Sequence, residues 1–231
     1  MFKRATNREV MSDSNHLKRP DSLSKIAEEE IRTNIVNGTY YLGEQLQEAK
    51  LSKAIGISKT PIREALAALK LQGLVEIIPQ RGAFVFRLSQ EDVVQLCRYR
   101  LILETSAMDA ALVEDPANLL AELGDVVAKM SEALDADAFE QYLELDADFH
   151  DVFFRHCGNS YLKAGYLNVS DIVRTMRTHL SQRPERTAKS FAEHEAILAH
   201  LSEGKTRSAK TVLKRQITRG ERSYSDLSWA K

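Results

Sequence analysis

Residues 56–66 read GISKTPIREAL: a short polar turn runs into a helix whose start carries Lys59, Thr60 and Arg63. Gly56 supplies the turn, Ser58 or Thr60 can cap the helix N-terminus, and Pro61 falls in the first turn, where its missing N–H costs nothing. Ile62, Ala65, Leu66 and Leu69 follow i, i+3, i+4, i+7 spacing and form an inner face. Lys59 and Arg63, four residues apart, share another stripe that is free to meet a ligand. In a DNA major groove Arg and Lys hydrogen-bond guanine edges, Thr contacts base or phosphate, and residues at the helix N-terminus reach deepest. The stripe reads equally well as the solvated charge of an ordinary amphipathic helix. The flanks decide between the two.

Upstream, Ile26, Ile31, Ile35 and Val36 mark a helix over residues 22–37, stopped by Gly38 and the turn residues Gly43 and Glu44. A short helix fits residues 48–55. Downstream, Gly73 ends the central helix, and residues 74–78 and 83–86 read as two β-strands around Pro79, Gln80, Arg81 and Gly82. Three helices followed by a hairpin describe a winged helix-turn-helix. Arg81 at the wing tip sits next to Gly82, where a small residue lets the backbone approach a phosphate or the minor groove.

The run LGEQLQEAKLSKAIGISKTPIREALAALKLQGLVEIIPQRGAFV, within residues 22–87, resembles the DNA-binding domain of GntR-type bacterial transcription regulators. The resemblance implies that Arg63 contacts operator DNA, with Ser58 and Thr60 beside it. Lys59 stands where the family often has Arg, and an ammonium lacks Arg's fixed fork. Ala49 stands where some relatives place a base-contacting Arg, with Lys50 adjacent.

Of the 231 residues, 43% are hydrophobic, enough for a full core in more than one domain. No apolar run is long enough for a membrane span, and the N-terminal residues lack the apolar centre of a signal peptide. Residues 1–20 read as a flexible tail, 21–88 as the DNA-binding domain and 89–231 as a second domain. Cys97 and Cys157, the two cysteines, lie in apolar helical patterns and suit a reducing, cytoplasmic setting. Charge is segregated: residues 1–88 hold 14 Lys or Arg against 10 Asp or Glu, and the remainder hold 18 against 23. A mildly basic front half fits a phosphate-binding module joined to one that does not bind phosphate.

From Ser89 the pattern is helical almost throughout and predicts an all-α antiparallel bundle. Ser89 with Asp92 resembles a capping signal for a helix to residue 113. Further helices fit residues 117–134, 138–157, 160–179, 187–203 and 206–224, broken at Pro116, Gly158-Asn159, Arg183-Pro184 and Gly204. The fold class is therefore mainly α. Asp146 and His150 lie about 40° apart on one helix and can converge on one ion, although such a pair more often makes a helix-face hydrogen bond. His156 and His200 point about 120° away from His150 and His194 and should stay outside any such site. His16 falls in the tail, and His179 near a basic helix end.

The runs LELDADFHDVFFRHCGN, RLILE and AEHEAIL resemble the FCD ligand-binding domain of the FadR-like GntR subfamily, over roughly residues 89–223. In that family one Asp and three His residues hold a divalent metal. The resemblance assigns Asp146, His150 and His194 to this set and puts Gln216 at the last histidine. A Gln carbonyl is a poorer, uncharged ligand, so affinity should fall or the metal preference change; the two imidazoles that remain favour Zn²⁺ or Ni²⁺ over Mg²⁺, and an effector could also bind there without metal. Arg100 is the expected anchor of an effector carboxylate, with Glu104 one turn later; a surface Arg100–Glu104 pair is the alternative. Arg174 and Arg177 are further candidates for the same pocket.

These readings converge on a ligand-responsive transcription regulator. It would be a homodimeric repressor on a palindromic double-stranded operator, released by a small carboxylate or sugar acid, with no membrane partner. Two rivals stand beside it. One is a metal-dependent hydrolase using Asp146, His150 and His194, with Asp148 or Glu193 as base. The other is a ligand-binding protein that has lost DNA binding.

Overall fold

The computed structural model describes residues 22–180 and 184–225. The expected tail over 1–20, with His16, and the turn at Arg183 lie outside the described residues.

Helix α1 (Leu23–Val36) starts at Ser22, whose hydroxyl accepts from the Lys25 N–H at 3.2 Å. Then follow β1 (Gln45–Leu46), α2 (Glu48–Ile55), α3 (Lys59–Leu71), β2 (Val75–Ile78) and β3 (Gly82–Val85). The turn between α2 and α3 is made by Gly56 in the left-handed region, φ 78°, where a side chain would be strained. Ser58 occupies the N-cap of α3, but its hydroxyl makes no capping bond. Thr60 lies inside the helix, so neither expected cap forms. Ile62, Ala65, Leu66 and Leu69 are all buried, as their spacing predicts, against Ala27, Ile31 and Ile35 of α1. The sheet has three antiparallel strands in the order β1-β3-β2, not the two of a hairpin. Gln45 pairs with Phe84 on one side of β3, and Val75 with Val85 on the other.

Six helices follow: α4 (Gln90–Glu114), α5 (Pro116–Asp135), α6 (Phe139–His156), α7 (Ser160–Leu180), α8 (Pro184–Ser202) and α9 (Thr206–Ser225). Ser89 and Asp92 close a reciprocal capping box at the start of α4, with bonds of 3.1 and 2.9 Å. The core holds Met108, Leu119, Leu123, Phe149, Phe153 and Tyr166. Helix α4 buries charge on its inner side: Arg100 and Glu104 are 4% and 0% exposed.

The two cores meet along α7. Ile172 packs against the N-terminal core, Thr178 Oγ1 donates to the Val36 carbonyl at 2.9 Å, and Arg32 Nε lies 3.3 Å from Asp171 Oδ2. Any side chain at Gly73, whose φ is 76°, would press on Ile172 at 3.3 Å.

Candidate functional site

The cations and turns singled out for nucleic acid all lie on the surface. Lys50 on α2, Ser58, Lys59, Thr60 and Arg63 at the start of α3, and Arg81 and Gly82 at the wing tip are exposed. Arg63 Nε donates to Glu48 Oε2 at 2.7 Å across the α2–α3 angle. Both partners are well exposed, so the pair is weak and readily exchanged for a stronger acceptor. The wing tip is set by Gln80 and Gly82, with φ of 62° and 100°. It is pinned from β1, where Gln45 Nε2 donates to the Arg81 carbonyl at 2.8 Å. The Arg81 guanidinium lies 5.7 Å from the Phe84 ring centroid, a cation–π distance that keeps the side chain on the wing.

Inside the bundle, α4, α6, α7, α8 and α9 bring together the residues expected to form a second site. Asp146, His150, His194 and Gln216 are all buried. His150 and His194 present their Nε2 atoms to one another at 3.4 Å, and Asp146 Oδ1 lies 3.7 Å from His194 Nε2. The Gln216 amide nitrogen donates to His194 Nε2 at 2.9 Å. Ser190, one turn before His194, donates to Asp146 Oδ1 at 3.1 Å and accepts from Gln216 at 3.2 Å.

Glu104 is the hub of this network. Its Oε2 accepts from His150 Nδ1 at 2.6 Å, and its Oε1 accepts a short bond from Arg100 Nε. Arg100 is therefore part of a buried triad with Glu104 and His150, and the surface-pair reading is excluded. Burial alone would raise the Glu104 carboxyl, but Arg100 and His150 hold it far below the usual carboxylate range. Burial opposes charge on Asp146 too; the Arg177 guanidinium overcomes it and keeps that group ionised. The imidazoles go the other way. Burial pushes His194 down to about 3, against the pull of Asp146, and burial with Arg177 lowers His150. Both rings are neutral near pH 7. The Glu104 contact places the His150 proton on Nδ1 and leaves Nε2 as a lone pair.

A cavity of about 60 Å³ opens beside this cluster, lined by Arg100, Asp146, His150, Arg177, Gln216 and Arg219 among others. That is room for several waters or a small ligand. Several polar atoms here are buried without a partner: both terminal nitrogens of Arg177, Nδ1 of His194 and Oε1 of Gln216. Arg177, a minor candidate from the sequence, reaches Asp146 through Nε at 3.5 Å. Ser190 and Arg219 were not foreseen, although i−4 from His194 and i+3 from Gln216 put each on the face of an expected residue.

The remaining candidates lie elsewhere. Arg174 does not line this cavity; it binds Asp151 and borders a separate cavity against α1. Asp148 pairs with Arg155 at 2.7 Å, and Glu193 with Arg219 at 2.5 Å. His156 bridges Asp115 and Glu122 at 2.9 and 2.5 Å, away from His150 as its spacing predicts.

As arranged, the Asp146, His150, His194 and Gln216 set does not fit a metal ion. Among the described residues no group of three or more His, Cys, Asp or Glu side chains is disposed to hold one. Two contacts explain this. The Gln216 amide takes the His194 Nε2 lone pair, and the Arg100 guanidinium stands 3.4 Å from both ring nitrogens of His150. Positive charge is already supplied where a cation would have to bind.

Comparison with known proteins agrees with this architecture. The model of the bacterial regulatory proteins of the gntR family matches residues 23–85, and that of the FCD domain matches residues 95–219. The chain belongs to the GntR family, in the group that carries an FCD domain. It is a DNA-binding transcription regulator and not an enzyme. Its relatives include a transcriptional regulator in an unstable DNA locus of Streptomyces ambofaciens, 30% identical over 76% of this chain and 73% of the relative. The gluconate operon transcriptional repressor of Bacillus subtilis is 25% identical over 73% of this chain and 71% of that protein. A GntR-type regulator from Rhodococcus, 20% identical, shares the fold with a TM-score of 0.76 over 88% of this chain and 98% of its own.

Proposed function

We infer that this GntR regulator is a repressor that leaves its operator when a small carboxylate or sugar acid occupies the cavity between α4 and α9. The observation that carries this reading is Arg177, whose two terminal nitrogens are buried and unpartnered on the cavity wall. Asp146 meets this guanidinium only at Nε, and a carboxylate accepts two parallel charge-assisted bonds from N–H groups of the kind left over. Arg100 and Arg219 line the same wall but are each paired with a carboxylate, Glu104 and Glu193, so Arg177 is the group that calls for an anion. The name of the gluconate operon repressor among the relatives agrees with a sugar acid.

On the DNA side, Lys59 and Arg63 read base edges, Ser58, Thr60 and Lys50 hold phosphates, and the Arg81-Gly82 wing follows the backbone. Two copies bind a palindrome, so their recognition helices must be held at the half-site spacing. An effector that binds one arrangement of the subunits better than the other shifts occupancy of the operator by that difference in affinity.

The guanidinium groups make a metal unnecessary for holding the acid, whereas a Zn²⁺ or Ni²⁺ site would make the response sensitive to chelator. A thermal-shift screen of carboxylates and sugar acids, run with and without chelator, tests both points. A ligand of the native state at about a hundred times its Kd adds roughly 2.7 kcal/mol. The expected result is at least one acid that raises Tm equally in both buffers and weakens binding to DNA fragments selected by the protein. Stabilisation that vanishes with chelator, or an acid that stabilises without touching DNA binding, would sink the reading.

A further inference from the structure

A second cavity, of about 290 Å³, lies where the two cores meet. Thr33 and Val36 of α1 line it together with Leu143 and Ala147 of α6 and Arg174 and Arg177 of α7. Cavities of this kind at domain seams, part apolar and part charged, are favoured ligand sites.

Its charges are unevenly committed. Arg32, on the α1 wall, is held by Glu28, Glu29 and Asp171. Glu140 and Glu144, also on the lining, are exposed and screened by water. Three buried donor nitrogens remain. Arg174 spends its NH2 on Asp151 and leaves Nε without a partner, and the terminal nitrogens of Arg177 are likewise unmatched. Next to them, Val36, Leu143 and Ala147 offer apolar surface.

We propose that this seam cavity is a second small-molecule site, for a short-chain aliphatic monocarboxylate. The carboxylate accepts from Arg174 and Arg177, and the alkyl chain lies against Val36, Leu143 and Ala147. Because its walls come from α1 on one side and α6 and α7 on the other, an occupant bridges the two units and biases how they sit. Arg177 lines both cavities, and its terminal nitrogens cannot serve two carboxylates fully, so the two sites oppose each other. This second site does not depend on the identity of the effector in the first.

The test is calorimetric titration of the full chain with hexanoate in chelator-containing buffer. The expected Kd is about 1 mM or tighter, consistent with a ligand of this size. Thr33→Trp places an indole in the seam from an exposed position of α1, and Arg174→Gln removes a donor that lines the seam cavity and not the first. Each should weaken hexanoate at least about tenfold, a 1.4 kcal/mol loss. Ser190→Leu, which crowds only the first cavity, should leave it within about twofold. Circular dichroism of each variant verifies its fold. Absence of binding by the unmodified chain at about 10 mM, retention in either seam variant, or loss in Ser190→Leu alone overturns the proposal.

Discussion

At the scale of single residues, Gln216 is one of the two contacts, with Arg100, that govern what the bundle can hold. Its amide donates to His194 at 2.9 Å, occupying a lone pair that a metal would need. Gln216→His removes that donor and adds a third imidazole, so the variant should gain a Zn²⁺ site. Thermal shift with excess Zn²⁺ is expected to raise Tm by several degrees in the variant, since ligand at a thousand times Kd adds about 4 kcal/mol. The unmodified chain should not respond, and an equal response from both would show that Gln216 is no obstacle. His156 allows a different prediction, on pH. Burial lowers its pKa, but the hydrogen bonds it donates to Glu122 and Asp115 outweigh this and raise it. A group raised on folding contributes stability that is complete below its unfolded value of about 6.5 and is lost as pH climbs through the folded one. The stability gap between the unmodified chain and His156→Gln, from urea unfolding, should therefore be larger near pH 6 than near pH 9. A gap independent of pH would mean that the imidazolium contributes nothing.

At the scale of elements, the sequence was most informative where one helix decides its own environment. The spacing of Ile62, Ala65, Leu66 and Leu69 is local, and all four are buried. The missing element was β1, whose two residues, Gln45 and Leu46, owe their strand to pairing with Phe84 and Ala83. Two residues carry no alternation, and a partner nearly forty positions away leaves no local trace. For α4 the difficulty was different. Its apolar residues run around the whole helix, so periodicity could not tell whether Arg100 and Glu104 faced water or core, and the family resemblance had to choose. His194 and Gln216 were aligned by the family resemblance, with their spacing in support, and do meet, but the hub role of Glu104 and the place of Arg177 came from packing between helices. The α2–α3 pair also sets a prediction on DNA. Arg63→Ala should weaken binding to a selected operator about 10- to 100-fold, the 1–3 kcal/mol of a base-contacting Arg. Glu48→Ala, which only frees Arg63 from an exposed ion pair, should bind as well or better. Fluorescence anisotropy at fixed salt reads both, and an unchanged affinity in Arg63→Ala would remove α3 from the base-reading role.

At the scale of the whole molecule, α7 reaches both halves, as do Leu42 and Leu88, which pack against both cores. Helix α7 carries Met176 and Arg177 to the first cavity, and Asp171, Ile172 and Thr178 to α1 and the N-terminal core. A ligand among the bundle helices can bias DNA binding through such an element as well as through the arrangement of the two subunits. Apolar packing of Ile172 is the contact least replaceable by water, since the Arg32–Asp171 pair and the Thr178 hydroxyl can each hydrate when separated. Ile172→Asp should therefore undock the halves without unfolding either, as the residue is only partly buried and lies outside the bundle core. Differential scanning calorimetry is expected to show two separate transitions in the variant and closer or merged ones in the unmodified chain. The same variant should keep its affinity for an acid bound in the first cavity and lose that acid's effect on operator binding, because the two sites then lack a shared element to bias. A single unchanged transition with full effector response would show that the halves communicate by a route other than α7.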